Sequence, residues 1–103
     1  MTYLVTKFTP DMLCFVDFAL VRFDVVDPST IPDNVYACID DKKMLRVLSS
    51  VLGFEIKNSK ETVNISDSND TLYLTNYYGP KLDEDATKLP KDGQLRFYKE
   101  YIE

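Results

Sequence analysis

Two groups of carboxylates are the side chains through which this chain could do chemistry: Asp40-Asp41 and Asp83-Glu84-Asp85. Paired acids can act as acid and base in a glycosidase when a cleft holds them at a set separation. They can also ligate magnesium. No EF-hand spacing surrounds either group, and the simpler reading of the two is a helix cap and a solvated loop. The chain has no histidine, and its two cysteines, Cys14 and Cys38, lack a CxxC spacing. A His-based triad, a Cys–His pair and a His-ligated metal centre are therefore excluded. The two thiols read as small core residues rather than a disulfide. The glycines Gly53, Gly79 and Gly93 stand apart, so there is no glycine-rich phosphate loop. No cofactor and no metal is expected.

Aromatic residues are the other candidates. Tyr73, Tyr77, Tyr78, Phe97, Tyr98 and Tyr101 could stack bases on a single-strand-binding sheet. Such a platform needs a cationic groove. Lys and Arg number 12 against 17 Asp and Glu, a net charge of −5. The aromatics therefore read as sheet core and protein interface. An acidic domain meets a basic protein surface more readily than nucleic acid.

The elements that must position these residues follow from hydrophobic period. Residues 1–103 form one domain with no linker and no repeat. No window approaches the roughly 20 apolar residues of a membrane span. The start Met1-Thr2-Tyr3-Leu4-Val5 lacks a basic segment with an apolar core, so no membrane or secretory role is expected. Strands are expected at Tyr3–Phe8, at Phe15–Val26 and at Val35–Ile39. Two further strands, Glu61–Ile65 and Thr71–Tyr78, should form a hairpin about Asp67-Ser68-Asn69-Asp70, and a last strand should run from Leu95 to Ile102. In the second strand, alternation sets Val21, Phe23 and Val25 on one face and Arg22 and Asp24 on the other. One amphipathic helix is expected over about 41–52. Met44, Leu45, Val47, Leu48, Val51 and Leu52 form its apolar stripe, Asp40 or Asp41 caps its start, and Gly53 ends it. Residues 81–93 are polar and turn-rich. The fold class is α+β: a mixed sheet of about five to six strands with one main helix packed on it.

Three segments in this order resemble a known family. They are Leu4-Val5-Thr6-Lys7-Phe8-Thr9-Pro10-Asp11-Met12-Leu13, the strand-to-helix unit Ile39 to Gly53 ending Leu48-Ser49-Ser50-Val51-Leu52-Gly53, and Lys81-Leu82-Asp83-Glu84. The chain is similar to small archaeal-virus proteins that include the viral ring nucleases, type III anti-CRISPR proteins that cut cyclic tetra-adenylate without a metal. In the active members a Gly-His pair opens the helix, and the His acts as general acid. Here that pair is Asp40-Asp41. A carboxylate in place of the His repels phosphate and does not protonate a leaving oxygen at neutral pH. The family's phosphate-steadying arginine corresponds to Lys81, which keeps the charge and loses the bidentate fork. Glu84 remains, and the family's Asn-Ala-Phe-Ser turn has become Thr6-Lys7-Phe8-Thr9.

The resemblance thus implies a scaffold whose catalytic set (Thr9, Asp41, Lys81, Glu84) is degenerate. In character the chain is closer to the type I-D anti-CRISPR proteins of rod-shaped archaeal viruses, which are small, acidic and dimeric. That likeness implies a non-enzymatic inhibitor acting in the host cytoplasm as a homodimer. It would bind the large subunit of the host type I-D interference complex through Asp40, Asp41, Asp83, Glu84 and Asp85. The alternatives are a ring nuclease or sponge for cyclic tetra-adenylate with altered groups, and a structural virion protein. The dimer contact would use either the strand Val35–Ile39 or the aromatic C-terminal strand.

Overall fold

The structure is a computed structural model that describes residues 2–7, 21–58 and 70–102. Six strands form one sheet: β1 Thr2–Val5, β2 Val21–Val26, β3 Tyr36–Cys38, β4 Lys57–Asn58, β5 Thr71–Tyr78 and β6 Gln94–Ile102. The order is β2-β6-β5-β1-β3-β4. β1 is parallel to both β3 and β5, β3 is parallel to β4, and β6 is antiparallel to β5 and β2, so β6 alone runs against the others. Among the described residues one α-helix, α1, spans Lys42–Leu52. The protein is a small α+β fold with a mixed sheet.

The central strands are buried on both faces. On one face Leu4, Ala37, Tyr73 and Phe97 join Ile31, Val35, Ile39 and Leu48 in the main core, with Met44, Leu45, Val51 and Leu52 of α1 packed against it. On the other, Val5 and Leu72 are covered almost completely and pack with Tyr3, Cys38 and Leu74. Strands buried on both sides carry near-continuous apolar runs, as Tyr3-Leu4-Val5 and Leu72-Tyr73-Leu74 do.

Helix α1 forms where its stripe and its caps agree. Val47 and Leu48 are fully buried at its centre. Of the two candidate caps, Asp41 is the one used: its Oδ1 accepts from the backbone N–H groups of Lys43 at 2.9 Å and Met44 at 3.4 Å. Gly53 closes the helix with φ +81°, the left-handed residue that an L side chain disfavours.

The structure also adjusts the expected elements. The first strand ends at Val5 rather than Phe8, because pairing to β3 and β5 stops there and the chain bends at Thr6. β5 and the last strand lie where expected. β5 is flanked by β1 and β6; the other expected hairpin arm, Glu61–Ile65, lies outside the described residues. So do Cys14, Thr9 and the Phe15–Leu20 part of the second strand. β4 was not legible beforehand. It is two residues long, and its Asn58 amide pairs with the main chain of Ile39 in both directions, at 3.1 and 3.2 Å. In β2, Val26 is the residue that packs on the core beside Phe97, while Val25 is 71% exposed. The Phe23 and Val25 face of that strand thus points away from α1.

Candidate functional site

β1 and β3 are adjacent and parallel, and their chains leave in opposite directions. After β1 the chain returns at β2, on the far margin of the sheet; after β3 it passes through α1 to β4 on the other margin. Such a reversal opens a crevice at the carboxyl ends of the strands, the usual ligand position in open parallel sheets. A cavity of about 470 Å³ lies there, lined by Thr6, Lys7, Cys38, Asp40, Asp41 and Met44. Its walls bring one cation, Lys7, against two carboxylates.

Asp41 decides what this crevice can bind. The first turn of a helix offers unpaired N–H groups to anions. Here the carboxylate of Asp41 already takes those of Lys43 and Met44. The anion position is filled by the protein itself. Replacing Asp41 with alanine is expected to lower stability by about 1 kcal/mol, whereas asparagine, which caps comparably, should cost a few tenths. Urea unfolding of the two variants checks this; equal losses would show that charge at the helix start, rather than capping, carries the effect.

The second acidic group lies on a long excursion between β5 and β6, residues 79–93, docked on α1. The guanidinium of Arg46 donates to the carbonyls of Glu84 and Ala86, the latter at 3.1 Å. Lys43 Nζ reaches Glu84 Oε1 at 3.5 Å. Leu82 of the loop is buried. At the neck, the hydroxyl of Tyr77 donates to the carbonyl of Pro80. Lys43 therefore links the two groups: its backbone N–H is held by Asp41 and its ammonium by Glu84. Asp40, Asp41, Asp83, Glu84 and Asp85 are all exposed, and the helix start and its docked loop share one end of the molecule. Asp83, Asp85 and Lys81 line a second hollow of about 290 Å³ within the loop.

Lys7, Lys43, Arg46 and Lys81 do not gather around a single pocket, and the two lysines that share one, Lys81 and Lys88, line the loop hollow with Asp83 and Asp85. Lys7 lines the crevice, Lys43 is turned to Glu84, Arg46 is committed to two carbonyls, and Lys81 borders the loop hollow. Lys81 is therefore not brought into the crevice with Asp41, and of the family positions among the described residues, Asp41, Lys81 and Glu84, Asp41 is the one that lines it. Sequence reasoning named Thr6, Cys38 and Met44 but not as walls of one cavity, and it did not foresee Lys43 and Arg46 as the clamp on the loop. The only signal for the clamp was a pair of bases on the polar face of α1, which an exposed helix face carries anyway. Cys38 is half-buried and is not in a disulfide. No three His, Cys, Asp or Glu residues among those described are placed to hold a metal ion.

The aromatic residues separate rather than form a platform. Tyr73 and Phe97 are buried. Tyr78 lies under Arg96 at 5.2 Å, and Tyr101 lies under Arg22 and Lys99 at 4.9 and 5.4 Å. By strand register Tyr101 shares the α1 face with Phe97, and Tyr78 lies on the opposite face with Arg96. No helix among the described residues is long and apolar enough to cross a membrane. No family model matches the chain, and none of the curated proteins matches it.

Proposed function

We propose that this protein is a non-catalytic inhibitor that binds a basic protein surface through its acidic end. By the resemblance of its segments, the partner is the large subunit of a host type I-D CRISPR interference complex, and the protein acts as a homodimer. One observation carries this reading. At the helix start, where the resembling ring nucleases place a general acid, Asp41 closes the first N–H groups with its own carboxylate. Asp40 stands beside it in the crevice. That geometry disfavours a phosphodiester and favours a cationic side chain. The docked loop extends the same surface with Asp83 and Asp85. Opposed charges of this kind speed encounter and select the partner more than they add affinity.

Binding to purified interference-complex subunits tests the reading. Alanine at Asp40, Asp83 and Asp85 together is expected to weaken binding about 10-fold to 100-fold, mostly through slower association that rising salt mimics. Asp41 is left intact so that the helix cap is unaffected. No binding at moderate salt, or binding indifferent to the triple change, overturns it.

Thr6 and Lys7 on the crevice wall favour a second reading, a sponge for cyclic tetra-adenylate. Equilibrium titration with that ligand separates the two. Saturable binding lost in Lys7→Ala supports the sponge.

A further inference from the structure

The crevice at the carboxyl ends of β1 and β3 holds two charges that the chain itself leaves uncompensated. Val5 and Cys38 form the last pair of the β1–β3 ladder, and Lys7 and Asp40 each stand two residues beyond it. Both line the cavity of about 470 Å³. Among the described residues, neither the ammonium of Lys7 nor the carboxylate of Asp40 has an ion-pair or hydrogen-bond partner. They do not pair with each other, although they are opposite in sign and share one cavity.

Asp41, the third charged residue of the wall, is in a different position. Its Oδ1 is held by the backbone N–H groups of Lys43 and Met44, and the positive start of α1 offsets its charge. The charges left for a ligand are therefore one positive and one negative. A small ligand of one sign would satisfy one of them and be repelled by the other. A ligand that carries both signs satisfies both. We propose that the crevice binds a small zwitterion, a free α-amino acid with an apolar side chain, its ammonium on Asp40 and its carboxylate on Lys7.

The rest of the wall suits the apolar part of such a ligand. Met44, in the first turn of α1, is half-buried and packs against the main core while also lining the cavity. Its unbranched thioether adapts to the shape of an aliphatic or aromatic side chain. Thr6 adds a hydroxyl, and Cys38 closes the wall at the end of β3. The volume lies within the range of small-molecule pockets, about 300–1,000 Å³, and the place is the one that open parallel sheets give to ligands. Charge-assisted contacts at the two ends would fix the orientation of the ligand. This inference shares Asp40 with the acidic surface proposed above and does not rest on it. A protein partner would also meet Asp83 and Asp85, which line the loop hollow and not the crevice.

Titration of the full chain with L-leucine, L-methionine and L-phenylalanine, followed by the magnetic-resonance shifts of its backbone amides, tests the proposal. At least one of the three is expected to saturate the protein with a dissociation constant of about 1 mM or below. The methyl ester of that amino acid lacks the carboxylate and its N-acetyl form lacks the ammonium, and each should bind about 10-fold or more weakly. Each preference should vanish with the matching side chain. Lys7→Gln should no longer separate the amino acid from its ester, and Asp40→Asn should no longer separate it from the N-acetyl form. Asp83→Ala together with Asp85→Ala should weaken binding to the interference-complex subunit and leave the amino-acid titration unchanged, so this proposal and the acidic-surface reading fail separately. No saturation by any of the three at about 10 mM, an ester and N-acetyl form bound as tightly as the parent, or variants that weaken all three ligands alike overturns it.

Discussion

Alanine at Gly79 is expected to lower the stability of this protein by about 3 kcal/mol, and with it the docking of the loop that carries Lys81 to Asp85. Gly79 has φ +151°, a conformation that L side chains rarely adopt. An added Cβ would also stand 2.7 Å from the Cα of Gly93, 2.9 Å from the Tyr77 hydroxyl and 3.1 Å from the carbonyl of Asp92. The nearest of these is backbone and cannot swing aside. Gly79 and Gly93 follow the last β5–β6 pair, Tyr78 with Gln94, and form the neck through which the loop leaves the sheet. Forcing the neck apart breaks the Tyr77–Pro80 hydrogen bond and shifts the Glu84 and Ala86 carbonyls from Arg46. Gly53→Ala is the control: its φ is +81°, but nothing lies within 4 Å of its added Cβ. That variant should lose only about 1 kcal/mol from the left-handed backbone. Denaturant midpoints of the two variants check the comparison. Equal losses would show that the neck yields and that the clash carries no cost.

Glutamine at Glu100 is expected to do the opposite and stabilise the protein at neutral pH, by on the order of 1 kcal/mol, or about 4–8 °C in melting temperature for a domain near this size. Glu100 lies in β6 directly opposite Phe23. It is 9% exposed, and its Oε2 is buried without a hydrogen-bond partner. Burial pushes its carboxyl above the ordinary value of 4.5, because a charge removed from water and left unpaired is costly. The sign of the pH dependence follows. With the folded value raised, the unfolded chain releases this proton first, so wild type loses stability as pH climbs from about 4.5 through the raised value, and the full penalty stands at neutral pH. The neutral glutamine lacks that loss. Melting curves of the two proteins should therefore converge at about pH 4 and separate as pH rises. A constant difference across that range would show that shape rather than charge is responsible.

The register and edge at β2 show how far sequence reasoning reaches. Alternation in Arg22-Phe23-Asp24-Val25 identified a strand and the sharing of its faces correctly. It did not say that the strand would be outermost, with its apolar face away from the helix. The candidate acids behave similarly. Asp40-Asp41 before an apolar stripe signalled a helix start, and Asp41 is that cap. That Glu84, more than forty residues later, would be held against the same turn by Lys43 and Arg46 had no local signal, since two bases on a solvent-facing stripe look alike whether or not a loop lies over them.

By itself the sequence determined what depends on neighbours in the chain: a helix over about 41–52 that starts at Asp40 or Asp41 and ends at Gly53, the strands 71–78 and 95–102, the α+β class, and the absence of any histidine chemistry. Those features arise from periods of 3.6 and 2 and from capping hydrogen bonds a few residues long. The tertiary structure alone decided the crevice between β1 and β3, the contact of Gly79 with Gly93, the burial of Glu100 and the place of β2 beside β6 at the end of the strand order among the described residues. Each arises where segments distant in sequence come together, and the order in which six similar strands pair is set by the packing of the whole sheet rather than by any one strand's residues.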